Sequence, residues 1–310
     1  MKLNKVNKIL LGILLLMASE KAIAQQDAMF SQYMVNHFVI NPAYAGSREA
    51  ISSFLINRNQ WISIPGAPKT AMLSINTPIA LRAGVGLQII SDQIGPKNVT
   101  GALGTYSYKL PFKKSNLAFG LRIGAFNYRF DTNKIEYKDQ TDIYANQGIV
   151  QKTAFNADFG IFYYTHKFFA GFAINHLSNT LINKHIYKNS VEPKYLSQHG
   201  FLHIGYTFEF SDNFAIQPSL LIRASQGAPN ANDLNLNLMF YKRFWIGASI
   251  RTKNAFVVLT QIYLTDKFRA GYAYDLGINK IGQVGRGAHE VFIGYDFAKK
   301  NKSVVHPRYF

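Results

Sequence analysis

Two histidines four residues apart, His199 and His203, are the first pair whose residue types would suit a metal ion. On a helix this spacing puts both imidazoles on one face. On a strand it separates them by roughly 13 Å at ~3.3 Å per residue, too far for one zinc ion. Large and small residues alternate around them, as in a strand, so no zinc site is expected. His289 stands beside Glu290, and on a strand neighbours point to opposite faces, which removes the obvious acid–base pair. No G-x-S-x-G nucleophile elbow occurs. The chain has no cysteine, which excludes disulfides, thiolate metal sites and cysteine nucleophiles. No catalytic residue, metal ligand or cofactor is assigned.

A second group of charges needs a different explanation. Arg122, Asp158, Glu209, Arg223, Arg251, Arg269, Asp275, Glu290 and Asp296 each fall on the small or polar side of an alternating run. If those runs are strands of a barrel, these charges point inward. They could line a selective pore. Because both signs are interleaved, pairing that fills the lumen is the preferred reading.

The elements that must hold these residues are strands. Leu117, Phe119, Leu121 and Ile123 alternate with Ala118, Gly120, Arg122 and Gly124. Phe155, Ala157, Phe159, Ile161 and Tyr163 alternate with Asn156, Asp158 and Gly160. The pattern recurs at 202–209, 268–275 and 290–297. One face is large and apolar, and the other is rich in Gly, Ala and Ser with isolated charges. A water-facing sandwich face would carry many Lys, Glu and Thr, whereas a barrel wall between lipid and a polar lumen has this composition. Glycine relieves crowding where such a wall curves. Tyr163, Tyr164, Tyr206, Trp245, Tyr263 and Tyr295 are expected at the membrane interfaces. About fourteen strands fit between residues 50 and 298, among them one continuous strand over 199–210. Alternate connections are short, as at 78–82, 111–115 and 265–266. Most of the others are longer, as at 62–68, 92–98, 130–153, 177–198 and 277–286. Outer-membrane barrels have short periplasmic turns and long external loops, so this parity puts both termini in the periplasm.

The first residues read as a cleavable signal peptide. Lys2, Lys5 and Lys8 precede the apolar run Ile9 to Met17, which is shorter than the ~20 residues of a spanning helix, and Ala22-Ile23-Ala24 is a cleavage site. Expected boundaries are therefore a signal peptide over 1–24, an N-terminal periplasmic segment over 25–49, an all-β transmembrane antiparallel barrel over 50–298, and a periplasmic tail over 299–310. The net charge is +17. The leader holds four of the cations, and the mature chain stays strongly basic. For an exported chain with scattered cations, outer-membrane lipid phosphates or an acidic partner protein fit better than nucleic acid.

The run Gln26-Asp27-Ala28-Met29-Phe30-Ser31-Gln32-Tyr33-Met34, with Asn36 and then Asn41-Pro42-Ala43-Tyr44-Ala45-Gly46-Ser47, resembles the opening of the PorP/SprF family of the type IX secretion and gliding machinery of Bacteroidetes. Ala28 stands where that family usually has proline. The run His289 to Phe297 and the final Pro307-Arg308-Tyr309-Phe310 are similar to the family as well. The resemblance implies a non-enzymatic outer-membrane component that helps export or surface-attach one large secreted protein. Its partners would be membrane lipid and either a cognate adhesin-like substrate or periplasmic motor subunits. A porin or transporter is the alternative, and a lipid-modifying barrel enzyme a further one. Phe30, Gln32, Tyr33, Asn41, Pro42, Tyr44, Gly46, Arg308, Tyr309 and Phe310 are the candidate partner-binding residues, with aromatics at 30, 33, 38 and 44 expected to be exposed outside the wall. The same segment also makes physical sense as a docked plug. Asn41 should be extended because proline follows, and Gly46 should end the turn into the first strand.

Overall fold

The structure, a computed structural model, describes residues 29–48, 50–135, 148–178, 197–225 and 228–297. The expected signal peptide and the residues up to 28, the centres of the two longest connections and the tail bearing Arg308, Tyr309 and Phe310 lie outside the described residues.

Every long apolar–small alternation becomes a strand. The strands are β1 (Ile51–Gln60), β2 (Lys69–Pro78), β3 (Ala83–Ile94), β4 (Lys97–Pro111), β5 (Asn116–Asp131), β6 (Ile149–Tyr164), β7 (Phe168–Asn175), β8 (His199–Tyr206), β9 (Phe208–Ser211), β10 (Phe214–Ser225), β11 (Ala228–Phe240), β12 (Phe244–Arg251), β13 (Ala255–Tyr263), β14 (Phe268–Gly277) and β15 (Ala288–Phe297). Each pairs antiparallel with its neighbours. β15 pairs with β1, from Ile51 opposite Phe297 to Gln60 opposite Ala288, so the sheet closes on itself. β8 and β9 are two pieces of one wall strand, both paired to β10, which makes a closed barrel of fourteen strands. The continuous strand expected over 199–210 is thus interrupted at Thr207. The cause lies across the pair: Pro218 of β10 stands where the ladder skips, and proline has no N–H to donate. On its other side Thr207 keeps the register of β7, donating its N–H to the Lys167 carbonyl at 2.7 Å.

The two faces separate as the alternation requires. Leu121, Ile123, Leu202, Ile204, Val291 and Ile293 are exposed on the outer surface. Arg122, His203, Asp275 and Glu290 are buried in the lumen. A closed ladder leaves no unpaired edge, the condition for sheet in hydrocarbon. Connections at one end of the barrel are short, such as 112–115 and 212–213. Those at the other include the longer 61–68, 132–148, 176–198 and 278–287. The turn expected at 92–98 tightens, because β3 and β4 stay paired out to Ile94 and Lys97 and leave only Gly95-Pro96 between them.

Four expectations about side chains change. Tyr164 and Trp245 are buried in the lumen, and Tyr263 packs against the same internal cluster, so they are not interfacial aromatics. Their strand positions have inward parity, which sequence proximity to a strand end does not reveal. Tyr163 and Tyr206 do face outward. Glu209 is not a luminal charge. It lies past the break at Thr207, on the rim, and its carboxylate pairs with Lys167 at 2.6 Å, a hydrogen bond that raises the lysine pKa.

Candidate functional site

The lumen is occupied along much of its length by the chain's own N-terminal segment. Phe30 sits beside Phe54 and Phe292, residues of β1 and β15. Arg48 reaches Asp296 near the opposite end of β15. Between these points residues 30–48 run the length of the barrel, from the long-loop end to the short-turn end. Phe30, Gln32, Tyr33, Asn41, Pro42, Tyr44 and Gly46 are all buried. The aromatics at 30, 33, 38 and 44 therefore do not form an exposed face outside the wall. They are apolar groups with a lumen available to cover them, and covering them is the favourable arrangement in water.

Burying this irregular chain requires partners for its backbone polar groups, and side chains of the wall supply many of them. Glu290 accepts the N–H of Ser31 and of Gln32, each at 2.8 Å. Gln88 and Arg122 both donate to the Phe38 carbonyl, at 2.9 and 3.2 Å. Ser107 donates to the Ala45 carbonyl at 2.7 Å, and Asn76 accepts the Gly46 N–H at 3.0 Å. The segment caps its own turns as well. Asn41, extended at φ −132°, ψ 113°, precedes a 3₁₀ turn over Pro42–Tyr44 and accepts the Ala43 N–H. The Asn41 amide also donates to the Ile161 carbonyl at 2.9 Å and meets the His203 imidazole at 3.2 Å. Gly46 turns the chain with φ +73°, where a side chain would be strained.

Inward glycines make room for this path. A Cβ on Gly120 would collide with Pro42 and Ala43, and one on Gly160 with the Asn41 side chain. Gly84 and Gly86 are in the same position with respect to Ala45 and Phe38. Gly120→Leu should therefore unseat the segment at Pro42 while leaving a barrel that still shifts on gels between heated and unheated samples. Limited proteolysis should then cut between residues 30 and 48 in the variant and not in the wild type.

At the long-loop end the segment meets a buried ionic cluster. Arg58 pairs with Asp275 at 2.6 Å and with Glu290 at 3.0 Å. Arg251 bridges Asp275 at 3.2 Å and Asp233 at 3.1 Å, and Asp233 also holds Arg223. Three guanidinium groups thus balance three carboxylates. Ser31 sits at the centre, where its hydroxyl donates to Asp275 at 2.8 Å and accepts from Arg58 at 3.0 Å. Tyr33 accepts from Asn235 at 2.7 Å, and Arg223 lies over its ring at 5.4 Å. A second pair, Arg122 with Asp158, stands halfway along the lumen. Interior pairing is what most of the interleaved signs produce; Arg269 instead donates to the Val35 carbonyl at 3.4 Å and lies over the Phe54 ring at 5.8 Å.

Sequence reasoning placed Arg122, Asp158, Arg223, Arg251, Arg269, Asp275, Glu290 and Asp296 inward, and each is buried. It missed Arg48, Arg58 and Asp233. The signal for Asp233 was present, since Asp233, Asn235 and Asn237 alternate with Leu234, Leu236 and Leu238. His199 and His203 do point into the lumen on one strand, but His203 meets Asn41 whereas His199 contacts Ser197 and Ser225. His289 faces outward to the Tyr272 hydroxyl at 2.6 Å, away from Glu290.

Comparison with known proteins adds to this geometry. A family profile described as type IX secretion system membrane protein PorP/SprF matches residues 22–295. Among curated proteins no match was found. Solved structures of similar fold include the CymD monoaromatic hydrocarbon channel, at 12% identity and TM-score 0.51, covering 89% of this chain and 95% of that one. The Ralstonia pickettii toluene transporter TbuX is similar at 10% identity and TM-score 0.50, covering 86% of this chain and 93% of that one. At such identities the likeness concerns the barrel fold alone.

Proposed function

The chain belongs to the PorP/SprF family of type IX secretion system membrane proteins, and from that premise we propose that this outer-membrane barrel acts as a plugged, non-enzymatic docking component and not as an export conduit. The observation that supports this reading is the obstructed lumen. Residues 30–48 occupy the barrel and are tied to the wall along its length. A folded or even an extended substrate would have to displace them, so a large secreted protein must engage the barrel from outside the lumen. An open porin reading meets the same obstacle.

The connections support one orientation. Short turns face the periplasm and the long loops at 130–153 and 177–198 face outward, as in other outer-membrane barrels. β15 ends at Phe297 on the short-turn end, which supports a periplasmic tail over 299–310, with Arg308, Tyr309 and Phe310. With the N-terminal aromatics buried, the docking role passes to the periplasmic rim. Leu81 and Phe112 are exposed in adjacent short turns, beside the cations Arg82, Lys113 and Lys114. Exposed apolar groups ringed by cations suit a periplasmic motor subunit or an arriving substrate with an acidic surface.

Leu81→Asp combined with Phe112→Asp should leave a heat-modifiable barrel and remove one cognate adhesin-like protein from the cell surface. If the barrel serves the secretion motor in general, many secreted proteins should be lost together. Epitope tags in the two long loops should be reached on whole cells, and a tag on the tail should not. An unchanged surface proteome would overturn the docking role, and surface staining of the tail would overturn the orientation.

A further inference from the structure

Above the buried segment, at the long-loop end, the lumen opens into a cavity of about 420 Å³. Its walls do not follow the polar-in rule for a barrel interior. Phe30, Ile90, Val99, Leu103, Phe126 and Phe201 all line it, and five of the six are buried, with Ile90 packed against them. The charges on its walls are already balanced, Arg122 by Asp158 and Arg223 by Asp233. Its mouth carries one residue of each sign, Asp92 and Lys97. An amide oxygen on the wall is also left over. Asn175, 8% exposed, lines the cavity, and its side-chain oxygen has no hydrogen-bond partner among the described residues.

A closed barrel needs no apolar hollow to hold its shape, and polar residues would keep such a space comfortably wet. The volume is that of a small-molecule site, within the roughly 300–1,000 Å³ usual for such pockets. Apolar walls favour a lipophilic occupant. Internally neutralised charges give a charged one nothing to exchange for its hydration. A buried acceptor without a donor favours one N–H or O–H on the occupant, because leaving it unpaired is costly. We infer that this cavity is a binding site for a neutral lipophilic molecule carrying a single hydrogen-bond donor, with Asn175 accepting from it. The inference stands on the cavity itself and does not depend on which secreted protein the barrel serves.

The test uses the full mature barrel in nanodiscs, with empty nanodiscs as the blank for partition into lipid. The probe is 4-fluorobenzyl alcohol, followed by broadening of its fluorine resonance. Saturable binding is expected in the wild type. The methyl ether of the probe, which lacks the donor, should bind about five-fold more weakly, the effect of one hydrogen bond. The anion 4-fluorobenzoate should not compete. Leu103→Trp should fill the cavity and abolish the saturable component. Asn175→Leu, at the end of β7 and easier to accommodate, should erase the difference between the alcohol and its ether. Partition no greater than in empty nanodiscs, equal binding of the benzoate, or an alcohol-to-ether ratio unchanged by Asn175→Leu would each overturn the assignment.

Discussion

Arg58→Ala should destabilise the barrel by about 3–5 kcal/mol, the cost of breaking a buried ion pair from one side. Arg58 is among the largest fully buried side chains. It contacts Asp275, Glu290 and the Ser31 hydroxyl at once. Removing it leaves two carboxylates with one fewer counter-charge in a space closed to water. Arg251 can compensate only Asp275, which it already contacts. Glu290 would keep the N–H donors of Ser31 and Gln32 as its remaining support. The loss should show as a lower urea midpoint for the gel-shift transition at unchanged cooperativity. It should also loosen the N-terminal segment, because the same cluster anchors Ser31. Replacing Arg58 and Glu290 together by Met should cost less than the sum of the single changes, since the unpaired charge is then absent. A single substitution that changes the midpoint by less than about 1 kcal/mol, within the range of an exposed pair, would mean the cluster is hydrated and not closed.

Leu121→Arg should cost about 2–4 kcal/mol, the penalty for arginine on the lipid face near the midplane of a barrel. Leu121 is half exposed on the outer surface of β5, opposite Phe159 of β6. Its neighbour Arg122 is buried and paired with Asp158 across the same two strands. One step along the strand thus separates a position where arginine is required from one where it is expelled. Folding into lipid vesicles, followed by gel shift against urea, measures the difference. Equal stability of Leu121→Arg and wild type would reverse the assignment of the faces.

These two residues show what could be read directly. Alternation on a strand has a period of two, so the face of Leu121 and of Arg122 follows once the strand is recognised. The same rule placed Asp275 and Glu290 inward. It could not say that they converge on Ser31, because strand order, closure and register decide which strands meet, and Ser31 lies outside the sheet. Tyr164, Trp245 and Tyr263 failed for a simpler reason: they were judged by nearness to a strand end and not by parity. The break at Thr207 depended on Pro218 across the ladder, a pairing that no local pattern reveals.

The N-terminal segment was legible only in part. Its aromatics and its Asn-Pro turn were legible, and a docked plug was one of the forms it could take. The choice between plug and exposed interface rests on inward glycines that are neighbours in space but far apart in sequence. Gly120 and Gly160 face each other across β5 and β6, and only with the barrel closed do they form the groove that Asn41 to Ala43 enter. Read singly, each glycine suggests only curvature.

The central claim is that residues 30–48 lie inside the barrel in the membrane. Because the chain has no cysteine, a pair can be introduced cleanly. The Asn36 amide donates to the Ser74 hydroxyl at 3.1 Å, so Asn36→Cys and Ser74→Cys bring two thiols side by side midway along the lumen. Dibromobimane, which fluoresces when it bridges neighbouring thiols, should label this double variant in intact outer-membrane vesicles and leave both single variants dark. A dark double variant whose cysteine at 36 reacts freely with a bulky water-soluble maleimide would contradict the account, since the segment would then lie outside the wall.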